Sequence, residues 1–112
     1  MTSHLDTALA AARAAGELLR THFGKPLDVN EFAAHDIKLD LDVRAQTLIT
    51  EILLGAFPDH AIFGEEGIAG NQASEWLWIV DPIDGTVNYF YAIPHFCISI
   101  ALRRGEDRKS VV

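Results

Sequence analysis

The chain has 112 residues, of which 49% are hydrophobic, and its 16 acidic and nine basic residues give a net charge of −7. This length and composition predict one soluble globular domain, and no apolar stretch is long enough for a transmembrane helix. The negative charge suits a site that gathers carboxylates around cations and argues against a nucleic-acid surface, which needs a basic patch. We therefore expect neither a nucleic-acid nor a membrane partner.

The chain contains a single cysteine, Cys97, within the apolar run Phe96–Ala101. Such a residue is predicted to be a buried small hydrophobe rather than a nucleophile. An intrachain disulfide is excluded, and the N-terminus lacks the charged and apolar regions of a secretory signal. We expect a reducing, cytoplasmic location.

Two amphipathic helices are predicted in the first half of the chain. Apolar residues at helical spacing indicate a helix over Ser3–Phe23, with Ser3 and Asp6 resembling a capping box. A less regular segment, Lys25–Lys38, is predicted as a loop with short extended pieces. A second helix is predicted over Leu41–Ala56.

The second half is predicted to form strands. The candidate strands are His60–Phe63, Trp76–Val80, Phe96–Arg103 and a fourth that begins at Lys109. The intervening segment Gly67–Ser74 is predicted as a loop, and Val87–Tyr91 as a short helix. Because the later strands are joined by short turns, we expect an α+β fold with two N-terminal helices packed on a largely antiparallel sheet.

The run W-I-V-D-P-I-D-G-T-V-N, which begins at Trp78, carries most of the chemical information. Asp81 and Asp84 flank Pro82, which should end the strand and let both carboxylates point toward one spot. The backbone carbonyl of Ile83 lies between them. Hard oxygen ligands of this kind suit Mg²⁺, with Mn²⁺ as an alternative.

A phosphate site is predicted directly after these acids. Gly85 and Thr86 should present backbone N–H groups at a helix start, where anions bind. The Thr86 hydroxyl could orient an attacking water, and Glu65, which also follows an apolar strand, could accept its proton. If the two strands are neighbours, Glu65 lies near Asp81, and the clustered carboxylates would repel one another without cations. Taken alone, the D-P-x-D-G-T run also fits a turn with an Asp-capped helix.

These motifs resemble the inositol monophosphatase family of metal-dependent phosphatases. The run W-I-V-D-P-I-D-G-T-V-N-Y over Trp78–Tyr89 is similar to the family signature, and I-F-G-E-E over Ile62–Glu66 is similar to its upstream glutamate motif. The interval from Asp42 to Glu65 also resembles the family pattern. The resemblance implies the first half of a layered αβαβα fold and a lithium-sensitive, Mg²⁺-dependent phosphomonoesterase that acts on inositol phosphates or similar polyol and sugar phosphates.

The resemblance also implies roles for individual residues. Glu65, Asp81 and the Ile83 carbonyl would bind one metal, and Asp81 and Asp84 a second. Glu65 and Thr86 would position the nucleophilic water, with Asp42 supporting Thr86. The phosphate would be held by Asp84 and by the amides of Gly85 and Thr86. A full-length form would be a homodimer.

Two departures from the family pattern accompany the resemblance. The segment H-D-I-K-L-D-L-D before the second helix lacks the usual threonines and adds Asp40, and Lys38 is a candidate for the basic residue that family loops supply. Family members are also more than twice as long, and their second half carries a further metal-binding aspartate. We therefore expect residues 1–112 to be the N-terminal portion of such a domain, with an exposed apolar sheet face and little turnover alone.

Two alternatives stay open. The chain could be a non-catalytic metal- or phosphate-binding or interaction module. It could also belong to a related phosphatase of sugar or nucleotide bisphosphates, because such relatives share the acidic motifs.

Overall fold

The computed structural model describes residues 3–33, 36–105 and 107–111, and side chains are described outside residues 30–38 and 106–112. The elements in chain order are α1 (His4–His22), β1 (Val29–Ala33), β2 (Asp36–Leu39), α2 (Asp40–Ala56), β3 (Ala61–Gly64), β4 (Gly67–Gly70), β5 (Trp76–Asp84), α3 (Thr86–Phe90), β6 (Cys97–Arg104) and β7 (Asp107–Val111). Among the described residues, no helix has the length and apolar character needed to cross a lipid bilayer.

The helices α1 and α2 cover one face of the main sheet. Helix α1 begins where the Ser3 hydroxyl accepts a hydrogen bond of 3.0 Å from the Asp6 N–H, as the capping pattern predicts. Its buried stripe includes the small residues Ala8, Ala11 and Ala15, which let the helix axis approach its neighbours closely. These alanines share one core cluster with apolar residues of α2 and of the sheet.

The main sheet has five strands in the order β4-β3-β5-β6-β7. Strand β3 runs parallel to β5, and the other neighbouring pairs are antiparallel. The α+β fold with a largely antiparallel sheet is therefore confirmed. The parallel pair matters most for the site, because it places the carboxyl end of β3 beside Val80 of β5, directly before Asp81.

The two faces of the sheet differ in exposure. The face toward the helices buries alternate residues of three strands: Ile62, Trp78, Val80, Ile100 and Leu102. On the opposite face, strand pairing aligns Ile68, Phe63, Ile79 and Ala101 in one row across four strands. Phe63 is 56% exposed and Ile68 is 63% exposed, so the described part of the chain presents the apolar face that the sequence predicted.

Two local predictions need correction. Pro82 does not end its strand, because β5 continues to Asp84 across a register shift between Asp81 and Asp84, where a proline needs no ladder hydrogen bond. The predicted loop Gly67–Ser74 begins with strand β4, which pairs with β3 after a tight turn that Gly67 permits with its φ of 134°.

The predicted loop Lys25–Lys38 contains a two-stranded hairpin of β1 and β2, consistent with its expected extended pieces. The side chain of Lys38, proposed as a basic site residue, lies outside the described residues, as does His35.

Candidate functional site

Glu65 and Asp81 emerge from adjacent parallel strands. Gly64 pairs with Val80, so Glu65, which directly follows β3, lies beside Asp81, which is still within β5. Burial, together with the negative charges of Glu65 and then Asp84, raises the pKa of Asp81 to about 6. The predicted closeness of the two acidic motifs therefore follows from the parallel pairing.

Asp81 has an incomplete set of partners. Its Oδ1 atom is buried and has no hydrogen-bond partner among the described residues. A buried carboxylate oxygen without a partner carries a desolvation cost that a cation or a hydrogen-bond donor would remove.

The acids share a cavity of about 280 Å³ with the segment that follows them. The cavity is lined by Glu65, Asp81, Ile83, Asp84, Gly85, Thr86, Val87 and Asn88. Every residue predicted for the site except Asp42 therefore meets in one place. Within the described ranges, no three carboxylate, thiol or imidazole groups converge closely enough to form a complete metal-binding cluster.

Thr86 connects the cavity to helix α2. Its hydroxyl lies 3.0 Å from the carbonyl oxygen of Ile83 and 3.4 Å from Oδ1 of Asp42. Asp42 is buried, and its Oδ2 accepts a hydrogen bond of 3.0 Å from the Leu39 N–H, which caps the start of α2. Asp42 thus lies behind Thr86 rather than in the cavity, and its role in supporting Thr86 stays a prediction.

Gly85 starts α3 in the left-handed backbone region, with a φ of 98°. A Cβ at this position would lie 3.0 Å from the carbonyl oxygen of His95, which itself accepts a hydrogen bond of 2.8 Å from the Asn88 side chain. Both the conformation and the close approach require glycine here. Because α3 has a single turn, any anion binding depends on individual N–H groups rather than on a long helix dipole.

Cys97 is exposed rather than buried, which corrects the sequence prediction. It begins β6 opposite Asp84 at the site edge of the sheet, so the apolar run that follows it does not enclose it. Its Sγ atom lies 3.8 Å from Oδ2 of Asp84, and partial burial and that carboxylate raise the thiol pKa. The thiol stays protonated at neutral pH, consistent with the prediction that it is no nucleophile.

His60 is buried. Its Nδ1 accepts a hydrogen bond of 3.0 Å from Nε1 of Trp78, and burial lowers its pKa. His4, which carried no signal in the sequence, packs on the same cluster of rings, 4.8 Å from Phe57 and 4.6 Å from Trp76. This cluster lies at the opposite end of β5 from the acids and takes no part in the site.

Sequence reasoning missed Gln46. This residue of α2 is buried, and its amide makes two hydrogen bonds to the turn that carries Glu65. One sequence feature could have identified it. Gln46 is a polar residue one helical turn after Asp42, on the side of the helix that also carries the apolar residues Ala45 and Ile49.

The chain is similar in sequence to known proteins. The family model for the inositol monophosphatase family matches residues 1–112. The protein named Nus factor SuhB from Pseudomonas aeruginosa is 42% identical over an alignment that covers 100% of this chain and 44% of that protein. A fructose-1,6-bisphosphatase/inositol-1-monophosphatase from Aquifex aeolicus is 37% identical, with 96% of this chain and 41% of that protein covered.

Solved structures give the same result. The extragenic suppressor protein suhB from Bartonella henselae matches with a TM-score of 0.86 at 32% identity, over 96% of this chain and 42% of that chain. An IMPase from Thermotoga maritima matches with a TM-score of 0.85 at 36% identity and the same coverage. The chain therefore spans about two-fifths of the length of these relatives. On this sequence and structural similarity, the chain belongs to the inositol monophosphatase family.

Proposed function

We propose that the chain supplies the part of a metal-dependent phosphomonoesterase that binds cations and positions the attacking water. The observation that carries the proposal is the parallel pairing of β3 and β5, which brings Glu65 beside Asp81 in the cavity that Thr86 also lines. Carboxylates, a hydroxyl and backbone amides in one cavity are the groups that phosphate-ester hydrolysis uses.

The residues fit a magnesium ion. The unpartnered Oδ1 of Asp81 and the charges of Glu65 and Asp84 favour a divalent cation in this cavity. Mg²⁺ binds through one or two carboxylates and keeps several waters, so it needs no preformed cluster of three side chains. The proposed ligands are Glu65, Asp81, the Ile83 carbonyl and Asp84, and Mn²⁺ could replace Mg²⁺. When bound, the cation would lower the pKa of water and neutralise charge on the phosphate.

The remaining residues would orient the water and the phosphate. The Thr86 hydroxyl has one hydrogen, which it can donate to Asp42 Oδ1 or to the Ile83 carbonyl. Its oxygen can then accept a hydrogen bond from the attacking water and turn the water's lone pair toward phosphorus. Glu65 would accept the proton, and the N–H groups of Gly85 and Thr86 would hold the phosphate.

The proposed substrates are inositol monophosphate and similar small polyol or sugar phosphates. Relatives from Aquifex aeolicus and Thermotoga maritima are named fructose-1,6-bisphosphatase/inositol-1-monophosphatase, so a sugar bisphosphate is the second candidate. A cytoplasmic location, lithium sensitivity and a homodimer for a full-length form complete the proposal.

Metal binding tests the proposal directly. Titration of Mn²⁺ followed by electron paramagnetic resonance should show binding to the wild-type chain and a loss of affinity of at least tenfold in Asp84→Asn. The control Asp59→Asn removes an exposed carboxylate at the end of α2 and should bind like wild type. Absence of Mn²⁺ binding by the wild-type chain would refute the proposed cation site.

An activity assay tests the phosphatase proposal. Inorganic phosphate released from inositol 1-phosphate and fructose 1,6-bisphosphate should be detectable only with Mg²⁺, and turnover by these 112 residues alone should be weak. Correct positioning of the substrate can lower the barrier of such a reaction by about 7–11 kcal/mol, and the resemblance implies that the second half of a family member supplies a further metal-binding aspartate. Hydrolysis that persists in Asp84→Asn would contradict the assignment.

The expectation of no nucleic-acid partner stays a prediction that rests on the net charge of −7. Relatives from Pseudomonas aeruginosa and Xylella fastidiosa are named Nus factors, which makes a direct test worthwhile. A fluorescently labelled single-stranded RNA should show no change in anisotropy on addition of the protein at 0.1 M salt. Binding that weakens steeply with salt would overturn the prediction.

A further inference from the structure

We propose that Gln46 is a positioning residue for Glu65. Its amide fixes the turn that holds the Glu65 carboxylate beside Asp81 in the cavity. The inference rests on the proposed function, because it concerns the same cation site. Gln46 lies on α2, outside the cavity, and acts only through the backbone of the turn.

Both ends of the Gln46 amide are engaged. Oε1 accepts a hydrogen bond of 3.0 Å from the Glu66 N–H, and Nε2 donates one of 3.1 Å to the carbonyl oxygen of Gly67. The two bonds join helix α2 to the turn between β3 and β4, directly after Glu65. Gln46 is only 7% exposed, so water competes little for these bonds. A planar amide held at two points restrains both the position and the orientation of the turn.

The chain leaves room for this amide at Gly64. A Cβ at Gly64 would overlap the Cδ atom of Gln46. The backbone of Gly64 is outside the left-handed region, so its conformation does not require glycine. What requires glycine there is the close approach of the Gln46 side chain.

The turn needs this support for two reasons. Strand β4 has four residues, lies at the edge of the sheet and is mostly exposed, so β3–β4 pairing alone holds the turn weakly. The pairing of Gly64 with Val80 also places Glu65 beside Asp81, and repulsion between the two carboxylates favours outward movement of the turn. A neutral amide resists that movement without adding charge.

One face of α2 would therefore fix the positions of Glu65 and Thr86, the two groups that flank the attacking water. Asp42 and Gln46 are one helical turn apart, so they lie on the same side of the helix. Asp42 contacts the Thr86 hydroxyl, and Gln46 holds the turn after Glu65. The spacing between Glu65 and Thr86 then depends on a rigid helix rather than on two separate loops.

The first test replaces the amide with an apolar side chain of similar size. In Gln46→Leu we expect hydrogen exchange of the Glu66 amide, measured by NMR, to accelerate about tenfold through loss of one hydrogen bond. Mn²⁺ affinity should fall about 10- to 100-fold, the usual effect of removing a residue that orients a metal ligand. Exchange in the buried pair of Trp78 and Leu102 should not change, which separates local positioning from general destabilisation.

Two further variants sharpen the test. Gln46→Glu keeps the acceptor for the Glu66 N–H but, when ionised, cannot donate to Gly67, so it should lose Mn²⁺ affinity although its side chain is nearly isosteric. The matched control is Gln72→Leu, because Gln72 also donates to the hairpin backbone, at Ala69 and Gly70, but at the end remote from Glu65. It should bind Mn²⁺ like wild type.

A double-mutant cycle links the effect to the amide itself. Gly64→Ala should displace the flexible end of Gln46 and reproduce the weaker Mn²⁺ binding, whereas Gly64→Ala should have no further effect in a Gln46→Leu background. Mn²⁺ affinity of Gln46→Leu within twofold of wild type would overturn the inference, as would additive effects in the cycle. If the wild-type chain binds no Mn²⁺, the proposed function fails, and unchanged exchange at Glu66 in Gln46→Leu would then overturn the Gln46 inference separately.

Discussion

Asp81 and Gly85 show how single residues carry opposing requirements at the candidate site. Asp81 is partly buried beside two other carboxylates, which is unfavourable for a charged group and useful for cation binding. Gly85 holds a backbone conformation that other residues adopt at a cost, and it does so against the carbonyl of His95. Both residues therefore lower the stability of the fold while they hold a particular arrangement of polar groups.

The first prediction concerns pH and Asp81. Its folded-state pKa of about 6 lies above the ordinary value of 3.8, so the folded protein binds more protons than the unfolded chain between these values. Without cations, the contribution of Asp81 to the free energy of unfolding should therefore decrease as pH rises from about 4 to 6. Urea unfolding of wild type and Asp81→Asn across this range isolates the contribution as their difference.

Addition of Mg²⁺ provides the complementary measurement. A cation that binds only the folded, ionised carboxylates should stabilise the wild type above pH 6 and leave Asp81→Asn nearly unchanged. A wild-type stability that rises relative to Asp81→Asn between pH 4 and 6 without cations would contradict the inferred charge repulsion.

The second prediction concerns Gly85. Gly85→Ala should lower the free energy of unfolding by about 2–3 kcal/mol, because the left-handed conformation costs about 1 kcal/mol or more and the new Cβ crowds the His95 carbonyl. The matched control is Gly24→Ala, which also has a positive φ, of 75°, but open space around it, and should lose only about 1 kcal/mol. Equal losses in urea titrations would exclude the contact with His95 as a cause.

At the scale of elements, α3 depends on tertiary contacts for its position. A single helical turn has little stability of its own. Its anchor is Tyr89, which is fully buried and packs edge-on against Phe23 and Phe96, and whose hydroxyl donates a hydrogen bond of 2.7 Å to the Leu19 carbonyl of α1. Helix α1 therefore stabilises the segment that presents Gly85 and Thr86, although it contributes no residue to the cavity.

The third prediction tests this anchor. Tyr89→Phe keeps the ring and removes the hydroxyl, so it should cost about 1–2 kcal/mol of unfolding free energy by leaving the buried Leu19 carbonyl without this donor. Tyr91→Phe, at a position that is 57% exposed, should change stability by less than about 0.5 kcal/mol. Hydrogen exchange of the α3 amides should accelerate only in Tyr89→Phe, and equal exchange in both variants would refute the anchoring role.

At the scale of the whole molecule, the main sheet is covered on one face only. The helices bury one set of alternating side chains, and the row of Ile68, Phe63, Ile79 and Ala101 stays open on the other face. A contiguous apolar surface of this kind promotes association in water. The described part of the chain therefore combines a well-packed core with a surface prone to self-association.

The fourth prediction addresses that surface. Phe63→Lys should reduce binding of an apolar fluorescent dye and lower the sedimentation-measured association of the protein, because it interrupts the row at its centre. The control Leu5→Lys changes a side chain of similar exposure, 49%, on α1 and away from the sheet face, so it should leave both properties near wild type. Unchanged dye binding and association in Phe63→Lys would show that the row does not act as a contiguous surface.

Local sequence patterns were sufficient for the two long helices and for the strands that precede the acidic residues, but not for β4. The periodicity of α1 and α2 and the apolar strands before Glu65 and Asp81 depend on neighbours within a few residues, so the chain itself encodes them. The same holds for the two acidic motifs. Their predicted site residues, Glu65, Asp81, Ile83, Asp84, Gly85 and Thr86, all line one cavity. Errors occurred where a residue's environment depends on distant segments. Cys97 follows an apolar pattern, yet its position opposite Asp84 at the sheet edge exposes it.

The tertiary structure decided how these parts come together. The sequence favoured short antiparallel connections, and only the fold inserted β4 and made β3 and β5 parallel, which brings Glu65 to Asp81. The two hydrogen bonds of Gln46 reach Glu66 and Gly67, which lie 20 and 21 positions further along the chain. No local sequence pattern covers such a separation. The sequence by itself thus determined which groups are available for cation and phosphate chemistry, because residue identity and local periodicity are encoded along the chain. Their spacing was decided by strand pairing and helix packing, because these depend on contacts between segments far apart in sequence.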